Sequence, residues 1–135
     1  MAESIEGRSR ELLEQPNFCH VGSIREDGSA HVVPVWVDTD GTHALLNTAE
    51  GRAWANNVER DPRVALTVAN IENPYEYVTI RGRVEEITRE GADEHIDKLA
   101  KKYMGVDEYP LRQPGEQRVI VRVAPERVSH RDPNG

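Results

Sequence analysis

Apolar residues near the start of the chain recur at helical spacing. Ile5, Leu12 and Leu13 share one face of SIEGRSRELLE, predicting a helix over 4–14 that Pro16 and Asn17 stop. From Phe18 the period shortens to that of strands. Segments 18–26 and 29–38 flank Asp27-Gly28, whose glycine suits the positive φ of a tight turn, so the pair reads as a hairpin. Asp40-Gly41 repeats the device before a strand at about 42–48. GRAWANNVER, 51–60, reads as a short helix closed by Asp61-Pro62, because proline disfavours helical geometry in the residue before it. Strands follow at 63–69 and 76–88. The most regular helix, 89–103, carries Ala92, Ile96, Leu99, Ala100 and Tyr103 on one stripe. In a last strand, 117–123, Val119, Val121 and Val123 alternate with Arg118, Ile120 and Arg122. Six or seven antiparallel strands with a few helices predict an α+β, mainly β barrel, not a doubly wound sheet. One domain accounts for residues 1–135, with 131–135 a frayed tail.

One strand needs more than a monomer. His31-Val32-Val33-Pro34-Val35-Trp36-Val37 is apolar on both faces, whereas a small antiparallel sheet ordinarily wets one of them. A barrel interior on one side and a second subunit or a ligand on the other satisfies both faces, as does a strand sandwiched under a helix. The homodimer is the reading adopted. Charge agrees with a small-molecule partner: 17 Lys+Arg against 24 Asp+Glu, net −7, disfavours nucleic acid and anionic membrane. The lone Cys19, the absence of a basic, apolar leader and the lack of any long apolar run predict a soluble protein of a reducing, cytoplasmic compartment.

Side-chain chemistry is sparse. The five histidines, His20, His31, His43, His95 and His130, form no HxxxH or HExxH pattern, and a single cysteine removes a zinc ribbon. No GxSxG elbow, GxGxxG or Walker A sequence is present, and Cys19 reads as core. What remains is a place for an anion. Asn47-Thr48-Ala49-Glu50-Gly51-Arg52 leaves a strand and enters a helix, whose first N–H groups lack internal partners. Thr48 offers a hydroxyl, Gly51 a close backbone approach and Arg52 a forked cation. Equally, a plain helix N-cap and a solvated arginine would give the same letters. Of seven aromatics, Trp36 and Trp54 flank this segment, as core or as the apolar wall of a planar ligand's site.

Taken together, DGSAHVVPVWVDTDG, LLNTAEGRAWANNVERDPRVALTV, YEYVTIRGRVEEIT and PGEQRVIVRVAPERV resemble the split β-barrel flavin and deazaflavin oxidoreductases. These are relatives of pyridoxamine 5′-phosphate oxidase, and the likeness is strongest to the branch that uses coenzyme F420. It spans about residues 5–130. The resemblance implies a homodimer with the cofactor in a groove between subunits. It places Val33, Pro34, Val35 and Trp36 along the ring, with His31 as a candidate proton donor. Asn47, Thr48 and Arg52 map onto the segment that binds the cofactor's phosphate, with Gly51, Trp54 and Asn57 as further cofactor-binding candidates, and Tyr75 or Tyr77 would cover the ring from the partner subunit. The implied activity is transfer of a hydride from reduced F420 to a small electron-poor substrate. FMN in the same notch, or a non-catalytic carrier of flavin, deazaflavin or haem, are the alternatives. One position departs: relatives commonly carry lysine where this chain has Trp54, which forfeits a charge-assisted hydrogen bond worth about 1.5–3 kcal/mol.

Overall fold

The computed structural model describes residues 3–134; Met1, Ala2 and Gly135 lie outside them. Ten elements follow one another: α1 Gly7–Glu14, β1 Cys19–Ile24, β2 Ala30–Val35, β3 Val37–Thr39, β4 Ala44–Ala49, α2 Ala53–Arg60, β5 Arg63–Ala69, β6 Tyr77–Thr88, α3 Ala92–Met104 and β7 Arg118–Arg131. The strands form one antiparallel sheet in the order β2-β1-β5-β6-β7-β4-β3.

This order bends the sheet into a barrel. β2 and β3 occupy opposite edges, yet only Trp36 separates Val35 from Val37. Two residues of chain reach at most about 7 Å, so the two edges converge there. The expected single strand over 29–38 is therefore two strands. Pro34 has no N–H for a central ladder, and the chain must cross from one margin of the sheet to the other. The result is a split barrel whose seam passes Trp36.

Alternation fills the interior. Val64, Leu66 and Val68 of β5 meet Val78 and Ile80 of β6, Val119, Val121 and Val123 of β7, and Leu46 of β4, while Leu12 and Leu13 of α1 close one end. Cys19 belongs to this core, and burial pushes its thiol up to about 12. Residues Val33 and Val35 of β2 lie against the core, whereas Ala30, Val32 and Pro34 face outward, Val32 being 61% exposed. The doubly apolar strand is thus an edge strand with one bare apolar face.

Other boundaries shift for local reasons. Gly28, at φ 88°, closes a loop in which Arg25 N–H bonds the Ser29 carbonyl at 2.8 Å, so the hairpin strands end at Ile24 and begin at Ala30. The helix expected from residue 89 starts at Ala92 and ends before Gly105, which takes the left-handed conformation of a C-cap and bonds the Lys101 carbonyl at 3.0 Å. β7 runs to Arg131, which pairs with Tyr77, so the expected tail from 131 begins one residue later. Its second half carries few apolar residues and a proline, which hide it from a period-two reading. Pro125 is tolerated because it lies opposite Gly82, where β6 and β7 change register.

Candidate functional site

A cleft of about 240 Å³ opens along the seam. One wall is the edge strand and crossover, with Phe18, Pro34, Val35 and Trp36; the other is the end of β4 and the start of α2, with Asn47, Thr48, Arg52 and Trp54. Ile96, Tyr109, Leu111 and Arg118 close the remaining side. The rings are ordered. Trp36 lies almost parallel to Tyr103 at 5.1 Å and 4°, Tyr109 meets Trp36 edge-on at 5.8 Å, and Phe18 continues the stack on Tyr103 at 5.8 Å. Tyr103 is pinned from below: its hydroxyl donates to the Asn17 carbonyl at 2.6 Å and accepts the Val37 N–H at 3.1 Å. Lys102 reinforces the same corner, donating to the Leu13 and Val37 carbonyls at 2.6 Å each, and burial pulls its amine down to about 8.

The polar end of the cleft is a chain of buried groups. Arg118 donates from Nε to Asn47 Oδ1 at 2.9 Å and from Nη1 to Glu116 Oε1 at 2.8 Å, and its guanidinium lies 5.2 Å from the Tyr109 ring centre. Glu116 also accepts from Arg52 Nη2 at 3.1 Å. Burial opposes ionisation of Glu116, but the Gln113 N–H and Arg118 outweigh it and hold the carboxyl below its usual range. Because arginine only donates, Asn47 must turn Oδ1 toward it, which leaves Nδ2 for the Ala92 carbonyl at 3.0 Å and His95 Nδ1 at 3.1 Å. His95 Nδ1 is therefore an acceptor, and the ring is neutral with its proton on Nε2.

That proton finds no hydrogen-bond partner; the Asp38 carboxylate is 3.8 Å away and engages Lys98 at 3.2 Å. Burial drives His95 down to about 4, against the opposing pull of Asp38. The unfolded chain, with an ordinary histidine near 6.5, binds the proton first as pH falls. Stability is thus whole above about pH 6.5 and lost toward pH 4, by about 2 kcal/mol at pH 5 from this group alone. The urea midpoint of His95→Gln should decline less steeply across that window than the native protein's, the remainder coming from carboxylates such as Glu116 that are held below their usual range; parallel declines would assign the loss elsewhere.

Several sequence candidates fall together in the cleft: Pro34, Val35, Trp36, Asn47, Thr48, Arg52 and Trp54. Thr48 is buried and its Oγ1 has no partner, while Arg52 occupies the N-cap position of α2 without a capping side chain, so neither is a helix cap. Trp54 is core as well as wall, at 5% exposure. Gly51 lies exposed beside the cleft. Val33 faces the core, and Asn57 turns to the other flank of α2, donating to Ser23 Oγ at 3.1 Å and to His31 Nδ1 at 3.3 Å. His31 is accordingly at the far end of β2 from Trp36. Tyr75 is exposed at the tip of the β5–β6 loop and Tyr77 opens β6, and neither lines this chain's cleft.

Sequence reasoning missed Tyr109, Glu116 and Arg118. Arg118 sits on the polar side of an alternating strand, which reads as solvent-facing; the signal available was α3, whose apolar stripe needs that side of the sheet as its cover. Among the described residues no three His, Cys, Asp or Glu side chains could hold a metal, and no helix is long and apolar enough to cross a membrane.

Comparison with known proteins agrees with this architecture. A solved structure named F420 reductase superposes with a TM-score of 0.78 at 31% identity, covering 89% of this chain and 94% of that one. A conserved hypothetical protein from Mycobacterium tuberculosis matches at 0.72 and 22% identity over 94% and 84%, and HupZ of Group A Streptococcus at 0.68 and 19% over 93% of each. No curated protein matches the chain. Residues 5–132 match the pyridoxamine 5′-phosphate oxidase family, and with a seven-stranded split barrel carrying an aromatic, cation-ended seam, the chain belongs to that family of oxidoreductases.

Proposed function

We propose that the protein is an F420-dependent reductase acting on small electron-poor organic molecules, as a cytoplasmic homodimer. The observation that carries this reading is the 31% identity, across nearly all of both chains, to a protein named F420 reductase. The cleft supports it: a flat aromatic wall at Trp36 and Tyr109, an orphaned buried hydroxyl at Thr48, and two arginines at one end suit a planar ring with an acidic tail. Bound F420 in its reduced form supplies the hydride, which explains a site without a protein nucleophile or metal set. The chain's own residues position and shield. Trp36 and Pro34 shape the ring face; Arg52, Thr48 and the start of α2 receive the tail.

Size argues for two subunits. About 240 Å³ is less than the roughly 300–1,000 Å³ of a typical small-molecule site, so one chain walls only part of the cofactor. The chain also presents surface to a second copy. A broad recess of about 890 Å³ beside β2 is lined by Val32, Ala30 and Ala65 and rimmed by Arg63, Arg81 and Arg127. At the opposite end of β5, Ile71 and Tyr75 are 60% and 78% exposed on a loop that is nonetheless fixed. Asn17 Oδ1 accepts the Ile71 N–H at 2.9 Å, and Glu76 takes both arms of Arg8 at 2.7 and 2.8 Å. A rigid loop carrying bare apolar tips is preorganised for contact.

Titration of the purified dimer with F420 and with FMN, following tryptophan fluorescence, tests the reading. F420 should quench at micromolar concentration and FMN more weakly; the reverse order assigns a flavin enzyme, and silence from both removes the enzyme reading. Arg52→Ala should raise the F420 Kd about tenfold while hardly moving Tm, because its half-exposed pair with Glu116 contributes under about 1 kcal/mol. A variant that melts early with affinity intact would place Arg52 in the scaffold.

A further inference from the structure

We propose that Arg118 is the inner anion-holding residue of the cleft, receiving a phosphate-type oxyanion on its free nitrogen while Glu116 and Asn47 lock it in place and Arg52 makes the second contact. This deepens the cofactor reading above and rests on it.

Arg118 is a strange residue to bury. Its side chain is 3% exposed, and that of Glu116 is 4% exposed. Two of the three guanidinium nitrogens are accounted for, Nε by Asn47 and Nη1 by Glu116. Nη2 donates to nothing among the described residues, and Arg118 itself lines the cleft. A guanidinium held along one edge and laid against a tyrosine ring cannot turn away, so its remaining N–H groups stay aimed where they are.

The second observation is convergence. Arg52 and Arg118 both donate to the same atom, Glu116 Oε1, at 3.1 and 2.8 Å. Two guanidinium groups focused on one oxygen form the geometry that recognises a tetrahedral oxyanion. Two cations and one carboxylate leave a net positive charge at this end of the cleft, in a chain whose overall charge is −7. The two arginines differ in freedom. Arg118 is fixed, whereas the half-exposed Arg52 makes a single contact and can swing from Glu116 to an incoming anion. Glu116 is thus a positioning residue, and Arg118 supplies a cation near the cleft where Trp54 supplies none.

The test separates tail from ring. Equilibrium affinities are measured for F420 and its phosphate-free deazaflavin chromophore, and for FMN and riboflavin, by fluorescence quenching. The proteins are the native dimer and the paired variant Glu116→Gln/Arg118→Gln, which removes both buried charges together so that neither is left without its counter-charge. The paired variant should lose F420 and FMN by about 30-fold or more, with the phosphate-free molecules within about twofold. Equal losses for tailed and tail-free molecules, or no loss, overturns the proposal. If the paired variant fails to fold, Arg118→Lys replaces it, and it should lose most of the tail-dependent preference. Should the native protein bind none of the four chromophores, the cofactor reading fails by itself. Arg118 is then judged by inorganic phosphate alone. A Tm rise in phosphate over chloride at equal ionic strength, absent from the variant, supports the anion site; an equal rise in both overturns it.

Discussion

Gly82→Ala is expected to strip the fold of a large part of its stability. Gly82 is buried in the longest ladder of the sheet, opposite Pro125, where β6 and β7 slip register. A Cβ there would collide with the Ala124 carbonyl oxygen and come within 3.0 Å of Val123 Cγ1. Both neighbours are fixed, one by the β7 backbone and the other by the core, where Val123 is fully buried. Relief would require moving β7 as a strand, and overpacking of this kind costs about 3 kcal/mol or more. With a urea slope of roughly 1.5 kcal/mol per molar, the midpoint should fall on the order of 2 M. An unchanged midpoint would mean that the bulge is soft enough to absorb a methyl group.

The second large effect falls on Trp36. Trp36→Ala removes a half-buried indole that stacks on Tyr103, meets Tyr109 edge-on and stands alone between the two sheet edges. Aromatic pairing adds about 0.5–1.5 kcal/mol for each contact beyond area, so a loss of about 2–3 kcal/mol in stability is expected. The cleft loses its flat wall at the same stroke. F420 affinity should drop at least about 50-fold, read by quenching of the deazaflavin's own fluorescence. Trp36→Phe keeps a ring at the seam and should restore most of both. Native-like affinity in the alanine variant would place the ring elsewhere.

How far these features can be read from letters alone depends on their range. Val64-Ala65-Leu66-Thr67-Val68 advertises a strand because its own alternation is its packing, and the structure gives β5 at the bounds expected, Arg63–Ala69. Turns at Asp27-Gly28 and Asp40-Gly41 are legible for the same reason: the Asp side chains satisfy their own loops, Asp40 Oδ1 accepting the Thr42 and His43 N–H groups at 2.8 and 2.7 Å. The break at Trp36 was not legible. Nothing in VVPVWVDT says that its halves belong to opposite margins, because that depends on five intervening strands. The cleft divides likewise. Asn47, Thr48 and Arg52 are adjacent in sequence and were found together. Tyr109, Glu116 and Arg118 reach the same place from the segment after α3, and an arginine in an alternating strand looks solvated until the helix that covers it is placed.

The single-residue crossover also bears on how the chain assembles. Neighbours in sequence, β2 and β3 can take their final places only after β5, β6 and β7 have bridged the distance between them the long way round. Closing the seam is then a late event that waits on contacts far apart along the chain, a topology associated with slow folding. The indole at the crossover would be among the last side chains to find its neighbours, so the ligand cleft comes into being together with the finished fold and has no existence in a partly assembled one.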